Sequence, residues 1–203
     1  MGKIVLLVQG LVFPKYDERK IGVASKLIVK ALNTATGITL DEIEKTWKKT
    51  GDLGKTAELL ILKKHQHTLF SEDLTVEKVF TNIKKLADQE GLGSTDVKLK
   101  MIAELLTSAK PKEALYIART VLEDLRVGLG EGTLRDAIAI TYYKKHYKVD
   151  ENEINELEKD KGTFSKESGL AKIRDEIQEA YDVTNDYAEI AQILMEKDLK
   201  HLK

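Results

Sequence analysis

The sequence predicts an all-α protein of roughly ten to twelve helices in two pseudo-repeated sub-bundles. Three observations predict it. Apolar residues recur at three- and four-residue spacing along nearly the whole chain. Strictly alternating runs, which a half-buried strand needs, are missing. The breaks between periodic stretches carry helix-end residues: Gly37 as a stop, Thr39 with Glu42 as a capping box, Asp52 as an N-cap and Pro111 in a first turn.

Taken in order, Ile4 to Val12 reads as the end of a buried helix with no cap before it, so the natural chain is expected to begin earlier. Pro14 and Tyr16 to Arg19 form a loop, and Gly22 opens a helix striped by Ala24, Leu27, Ile28, Ala31, Leu32 and Ala35. The next helix turns Ile43 and Trp47 inward, with the sole Trp as a core anchor. Behind Asp52 lie Ala57, Leu60 and Ile61; a loop from His65 to Asp73 follows, then Val76, Val79, Phe80, Ile83 and Ala87. Gly91-Leu92-Gly93-Ser94 breaks that helix, and Ser94 or Thr95 is expected to cap the helix carrying Ile102, Leu105 and Leu106. After Pro111 the stripe is Ala114, Leu115, Ala118, Val121, Leu122 and Leu125. Leu134, Ala137, Ile138 and Tyr142 mark the next helix; Leu170, Ile173, Ile177 and Tyr181, then Tyr187, Ile190, Ala191 and Leu194, mark the last two.

Composition narrows the function. The 203 residues suffice for one large or two small domains with a real core. The absence of Cys removes disulfides, thiolate metal sites and Cys nucleophiles. No apolar run approaches a membrane span, and Met1 to Phe13 lacks a small-residue cleavage site, so a cytoplasmic, soluble protein with no membrane partner is expected. Charged residues reach 33% with only two Pro, a composition that leans towards thermophiles. The net charge of −1 means that nucleic acid can be held only by a local basic face.

The chain is organised around Leu125 to Ala139. Arg126 is followed by Gly128, Gly130 and Gly132 on alternate positions, and an amphipathic helix starts directly after them. Glycine lets another molecule approach the backbone, and a helix start offers unpaired N–H groups to a phosphate. Gly91 to Lys100 repeats the arrangement: Gly91 and Gly93 expose backbone, Ser94 and Thr95 offer hydroxyls at a helix start, and Lys98 and Lys100 add charge. Such a surface reads backbone shape and not base identity, which suits a non-specific duplex binder working across a minor groove. The plainer alternative is a pair of tight helix–helix turns with glycine caps.

Enzyme motifs fail on inspection. Gly54-Lys55-Thr56 lacks the glycine that a P-loop needs at position 49, where Lys49 stands. His65 and His67 are two apart and cannot share a helix face as metal ligands. Lys159-Asp160-Lys161-Gly162 has the wrong order for a nucleotidyl-transfer lysine motif, and no nucleophile has a base at a recognisable spacing. An internal echo does stand out. Thr50-Gly51-Asp52-Leu53-Gly54 and Thr184-Asn185-Asp186-Tyr187-Ala188 each precede a helix, and Asp150 to Glu153 caps another as Thr39 to Glu42 does. It suggests duplication within one 203-residue helical domain, with sub-bundles at 1–90 and 91–203.

At these residues the chain resembles the N-terminal DNA-binding domain of archaeal and eukaryotic ATP-dependent DNA ligases, on its archaeal branch. The match is carried by Thr50 to Glu58, by Gly93-Ser94-Thr95 with Lys98 and Lys100, by Ala118 to Leu122 and by Leu125 to Leu134, with Gly10 to Lys30 in support. The resemblance implies a piece of a longer enzyme that also has an adenylation domain and an OB-fold domain, both absent here. That enzyme would use ATP and Mg2+ to seal nicks in replication, repair and recombination. The family's AMP-accepting Lys-x-Asp-Gly motif does not occur in this chain, so the chain alone is expected to be inactive and to hold no cofactor or metal. Lys203 falls about where the linker to the adenylation domain would begin.

Carried over by position, the resemblance implies contacts to nicked double-stranded DNA by Thr50, Gly51, Gly54, Gly93, Ser94, Thr95, Lys98, Lys100, Arg126, Gly128 and Gly130. Gln66, Leu69 and Phe70 occupy the place of a short sliding-clamp-binding motif, with Leu69 replacing the first aromatic. A monomer is expected. The rival reading is a helical protein-interaction scaffold, such as a clamp-binding module, which the near-neutral charge favours.

Overall fold

A computed structural model describes residues 1–63, 73–149 and 169–202. The described residues form ten α-helices and a terminal 3-10 turn, with no strand among them. The helices are α1 (Gly2–Val8), α2 (Ser25–Thr36), α3 (Leu40–Thr50), α4 (Leu53–Leu62), α5 (Val76–Ala87), α6 (Ser94–Ser108), α7 (Pro111–Val121), α8 (Glu131–Tyr147), α9 (Gly169–Thr184) and α10 (Tyr187–Glu196). The all-α expectation is met.

The chain divides into two compact units. The first is Gln9–Phe13 with Glu18–Arg126; the second is Met1–Val8, Pro14–Asp17 and Val127–Lys203. The break thus falls after Arg126 and not after residue 90. The reason is packing: α6 lies against α2, and α7 against α4, so residues 91–126 complete the core of the first unit. That core is a contiguous set of aliphatic side chains with almost no exposure, including Ile28, Leu32, Ile43, Leu60, Ile83, Leu86, Ile102, Leu105 and Leu106.

In the second unit α1 packs on α10 and α8 packs on α9. Leu170 and Ile177 are fully buried, and the rings of Tyr181 and Tyr187 stack with centroids 3.8 Å apart. Burial pushes the Tyr187 phenol up to about 12. The N-terminus is tied down by Met1 and Gly2, whose nitrogens both donate to Gln192 Oε1 at 3.1 Å.

The internal echo is one hydrogen-bonded device used twice. Gly51 and Asn185 both sit in the left-handed region, at φ +64° and +52°. Their N–H groups close the preceding helix on Trp47 O and Tyr181 O. Thr50 and Thr184 hydroxyls each accept from the Asp two residues on, at 3.3 Å. Asp52 and Asp186, both buried, then each cap the next helix by accepting two of its first N–H groups. Asn serves in place of Gly because its short polar side chain tolerates that backbone region.

Several local expectations are corrected. The first helix ends at Val8, short of Val12. The helix after Pro111 ends at Val121, and Glu123 at φ +55° turns the chain before Leu125. Val76 and Ala137 are exposed. Trp47 is half-buried and lines surface cavities, so it is no core anchor. His65, His67, the Asp150 cap and the segment Gln66, Leu69 and Phe70 lie outside the described residues.

Candidate nucleic-acid interface

The site in the first unit is built around the start of α2. Ala24 is the N-cap of this helix and has no side chain able to cap it. The neighbouring start of α6 is held to it by Lys98, whose Nζ donates to Ile21 O at 2.8 Å and Gly22 O at 3.3 Å. The sequence offered Lys98 as a phosphate contact; its charge instead bridges two helix starts. On the other side, Ala24 and Ser25 share a cleft of about 400 Å³ with Trp47, Asp52, Arg119 and Arg126. The Gly91–Lys100 turn and the Arg126 loop therefore both meet at the beginning of α2, an element that sequence reasoning did not single out. Its uncapped start was the signal.

Gly93, and neither hydroxyl, stands at the N-cap of α6, at φ +85° and with no side-chain cap; Ser94 and Thr95 are the first two helical residues. Gly91 also has a positive φ, +84°, and both glycines are open to solvent. Leu92 between them is fully exposed, and Lys100 is exposed.

Arg126 is positioned by strain and by partners. Its φ is +54°, an uncommon value for a residue with a Cβ. Nε donates to Asp124 Oδ2 at 2.8 Å and Nη1 to Gly51 O at 3.1 Å, while Asp52 Oδ2 lies 3.6 Å from Nη1. The Asp124 carboxylate reinforces its protonation. The side chain is still 47% exposed, so it is a surface cation held in place and not an internal ion pair.

Behind it stands Arg119, only 12% exposed, with Nη2 2.5 Å from Asp52 Oδ2 and Nη1 3.3 Å from Leu125 O. Burial pushes the Asp52 carboxyl up, but the Arg119 guanidinium and the N–H groups of Lys55 and Gly54 outweigh it and hold the group below the ordinary carboxylate range. Asp52 thus closes the start of α4 with its own side chain. Thr50 spends its hydroxyl on Asp52 N and on Thr56 Oγ1 at 2.8 Å. Gly54 is buried: a Cβ there would lie 2.6 Å from Arg119 Cγ and 2.8 Å from Leu115 O. Gly54 is therefore a buried packing residue, while Thr50 is half-buried and its hydroxyl is engaged within the turn. Gly51 is exposed, and its carbonyl orients Arg126.

Gly128 and Gly130 belong to the second unit, at the start of α8. Neither has a positive φ. A Cβ at Gly128 or Gly132 would meet nothing within 4 Å, and at Gly130 only Thr133 Oγ1 at 3.9 Å. Nothing among the described residues requires glycine at these positions. Gly130 is the N-cap and supplies no side-chain cap. Glu131, the first residue of the helix, pairs with Lys15 and accepts from Tyr181 Oη at 3.1 Å. Those two partners hold its carboxyl below the usual range.

The helix starts sort into two kinds. Those of α3, α4, α5 and α10 are closed by Thr39, Asp52, Thr75 and Asp186 side chains. Those of α2, α6 and α8 have no side-chain cap; at α7 the N-cap Lys110 gives none either, but Pro111 removes one donor and Glu113 accepts from Lys110 N at 2.8 Å, which closes that start. Open starts leave N–H donors and the positive end of the helix dipole available to an anion.

The family model described as DNA ligase N terminus matches residues 2–139. A DNA ligase of Thermococcus fumicolans is 48% identical over 139 residues, covering 68% of this chain and 25% of that protein. DNA ligase 2 of Korarchaeum cryptofilum is 36% identical over 202 residues, 100% of this chain and 30% of its own length. A DNA ligase of Nitrosopumilus maritimus is 33% identical over 203 residues, again 100% and 30%. The chain thus spans between 25% and 30% of the length of these relatives. The matched region takes in all three open helix starts and the Arg126 loop, and the chain belongs to the DNA ligase N-terminus family.

Proposed function

We propose that this chain is the non-sequence-specific duplex-binding part of an ATP-dependent DNA ligase, holding nicked DNA through backbone contacts in the minor groove. The observation that supports it best is the selective capping: the open helix starts are those that carry the glycine turns or adjoin Arg126. Phosphates would meet the N–H groups and hydroxyls at Ser94 and Thr95, the charges of Lys100 and Arg126, and the bare backbone of Gly128 and Gly130. The adenylation chemistry that ATP and Mg2+ supply belongs outside this chain, which has no Lys-x-Asp-Gly motif to take AMP. This chain's part is to bind and orient the duplex, and by itself it is expected to form no adenylate.

The test is a titration of nicked and intact duplex at two salt concentrations. Binding that weakens steeply with salt and ignores sequence is expected. Absence of binding at low salt, or binding indifferent to salt, overturns the reading. Arg126→Ala is expected to weaken all duplexes about equally, by about ten- to a hundredfold, because a charge-assisted contact is lost. Asp124→Asn should do the opposite. It removes the carboxylate that competes with phosphate for Nε, so affinity should rise several-fold at low salt, measured in the same titration.

A further inference from the structure

Beside the Arg126 cleft lies a second, larger cavity of about 590 Å³ between α2 and α3. Its walls are Lys26, Lys30 and Lys48, with Val29, Leu40 and Trp47 as an apolar floor. Glu44 is the one carboxylate among the described lining residues. The three lysines are exposed. Lys45, Lys110 and Lys112 are exposed too but each lies within 2.9 Å of a carboxylate, a partner that Lys26, Lys30 and Lys48 lack among the described residues. Trp47 lines both cavities, and the Gly51–Gly54 turn borders both: Gly51 faces the larger, Asp52 and Gly54 the smaller. The two cavities therefore form one track on the first unit, from Arg126 past Trp47 to Lys30.

We infer that the α2–α3 groove is a second backbone-binding subsite for double-stranded nucleic acid, with Lys26, Lys30 and Lys48 neutralising phosphates beyond those reached by Arg126. This rests on the duplex-binding reading above and extends it to residues outside the glycine turns. Two features favour a polyphosphate occupant. The groove gathers three cations against one anion in a chain whose net charge is −1. It is also continuous with the cleft that holds Arg126. The Trp47 ring offers a flat apolar surface against which a sugar or a base edge can rest.

The experiment compares the 203-residue chain with Lys26→Ala/Lys30→Ala/Lys48→Ala and with the matching triple Arg variant. Duplex affinity is measured across a salt series, and Trp47 fluorescence, the only Trp signal, is followed during titration. Each phosphate contact contributes about 0.9 to the slope of log affinity against log salt, so the Ala variant should lose about 2 to 3 units of slope. The Arg variant should keep it, and duplex should quench Trp47 in the unmodified chain. Unchanged slope and affinity in the Ala variant, with Arg126→Ala still impaired, overturn the subsite and leave the duplex reading standing. No duplex binding by the unmodified chain overturns both. A Trp47 response to polyglutamate and not to duplex overturns the subsite in favour of an acidic protein partner.

Discussion

Asp52→Ala is expected to destabilise the first unit by about 3–5 kcal/mol, because it leaves the Arg119 guanidinium buried without its counter-charge. The carboxylate is 5% exposed and Arg119 12%. One Asp oxygen takes the Arg119 Nη2 hydrogen bond and the other accepts from Gly54 N at 2.7 Å and Lys55 N at 3.2 Å, so the substitution also opens the start of α4. Urea unfolding followed by helical circular dichroism measures it, and a loss below about 1 kcal/mol would contradict the buried-pair account. The same group sets a pH dependence. Its folded pKa is held below the ordinary aspartate range, so its contribution is whole above the unfolded value. It is lost as the pH falls through the lower folded value, and Asp52→Asn should flatten that acid limb.

Glycine substitutions give the second large effect and separate packing from binding. Gly54→Ala puts a Cβ 2.8 Å from the Leu115 carbonyl, backbone that cannot move aside without parting α4 from α7. A destabilisation of about 1–3 kcal/mol is expected from such overpacking. Gly128→Ala meets nothing within 4 Å and has no positive φ to violate. It should leave thermal stability unchanged while weakening duplex binding, since the added methyl stands where a phosphate backbone would approach. Thermal melts and duplex titrations on the two variants decide the matter. If Gly128→Ala binds duplex as the unmodified chain does, the open backbone there is not a contact.

The helices were legible because their signals are local. Thr39, Asp52 and Pro111 act on N–H groups within three residues of themselves, and the stripes of Leu27-Ile28-Ala31-Leu32 or Ala114-Leu115-Ala118 need only a period to be read. Trp47 was misplaced for a related reason. A helical stripe gives the direction in which a side chain points but not what covers it, and the ring here forms the wall between two cavities. The end of α7 was set too late because Leu122 and Leu125 continue the apolar pattern past the turn at Glu123.

The site residues divide the same way. Spacing pointed to the glycine turns and Arg126, and all of them lie beside helix starts. What each does depends on partners distant in sequence: Lys98 reaches Ile21 O across 77 positions, and Arg126 reaches Gly51 O across 75. The sequence by itself determined the helical class, the caps at Thr39 and Asp52 and the family resemblance, because backbone hydrogen-bonding needs are satisfied within a turn or two. Only the tertiary structure decided that Gly54 packs while Gly128 stands open, that Asp52 belongs to Arg119, and that three lysines rim a groove beside Arg126. Those outcomes depend on which surfaces α2, α3, α4 and α7 press together, and helix–helix contact is a property of the folded chain, not of any stretch of it.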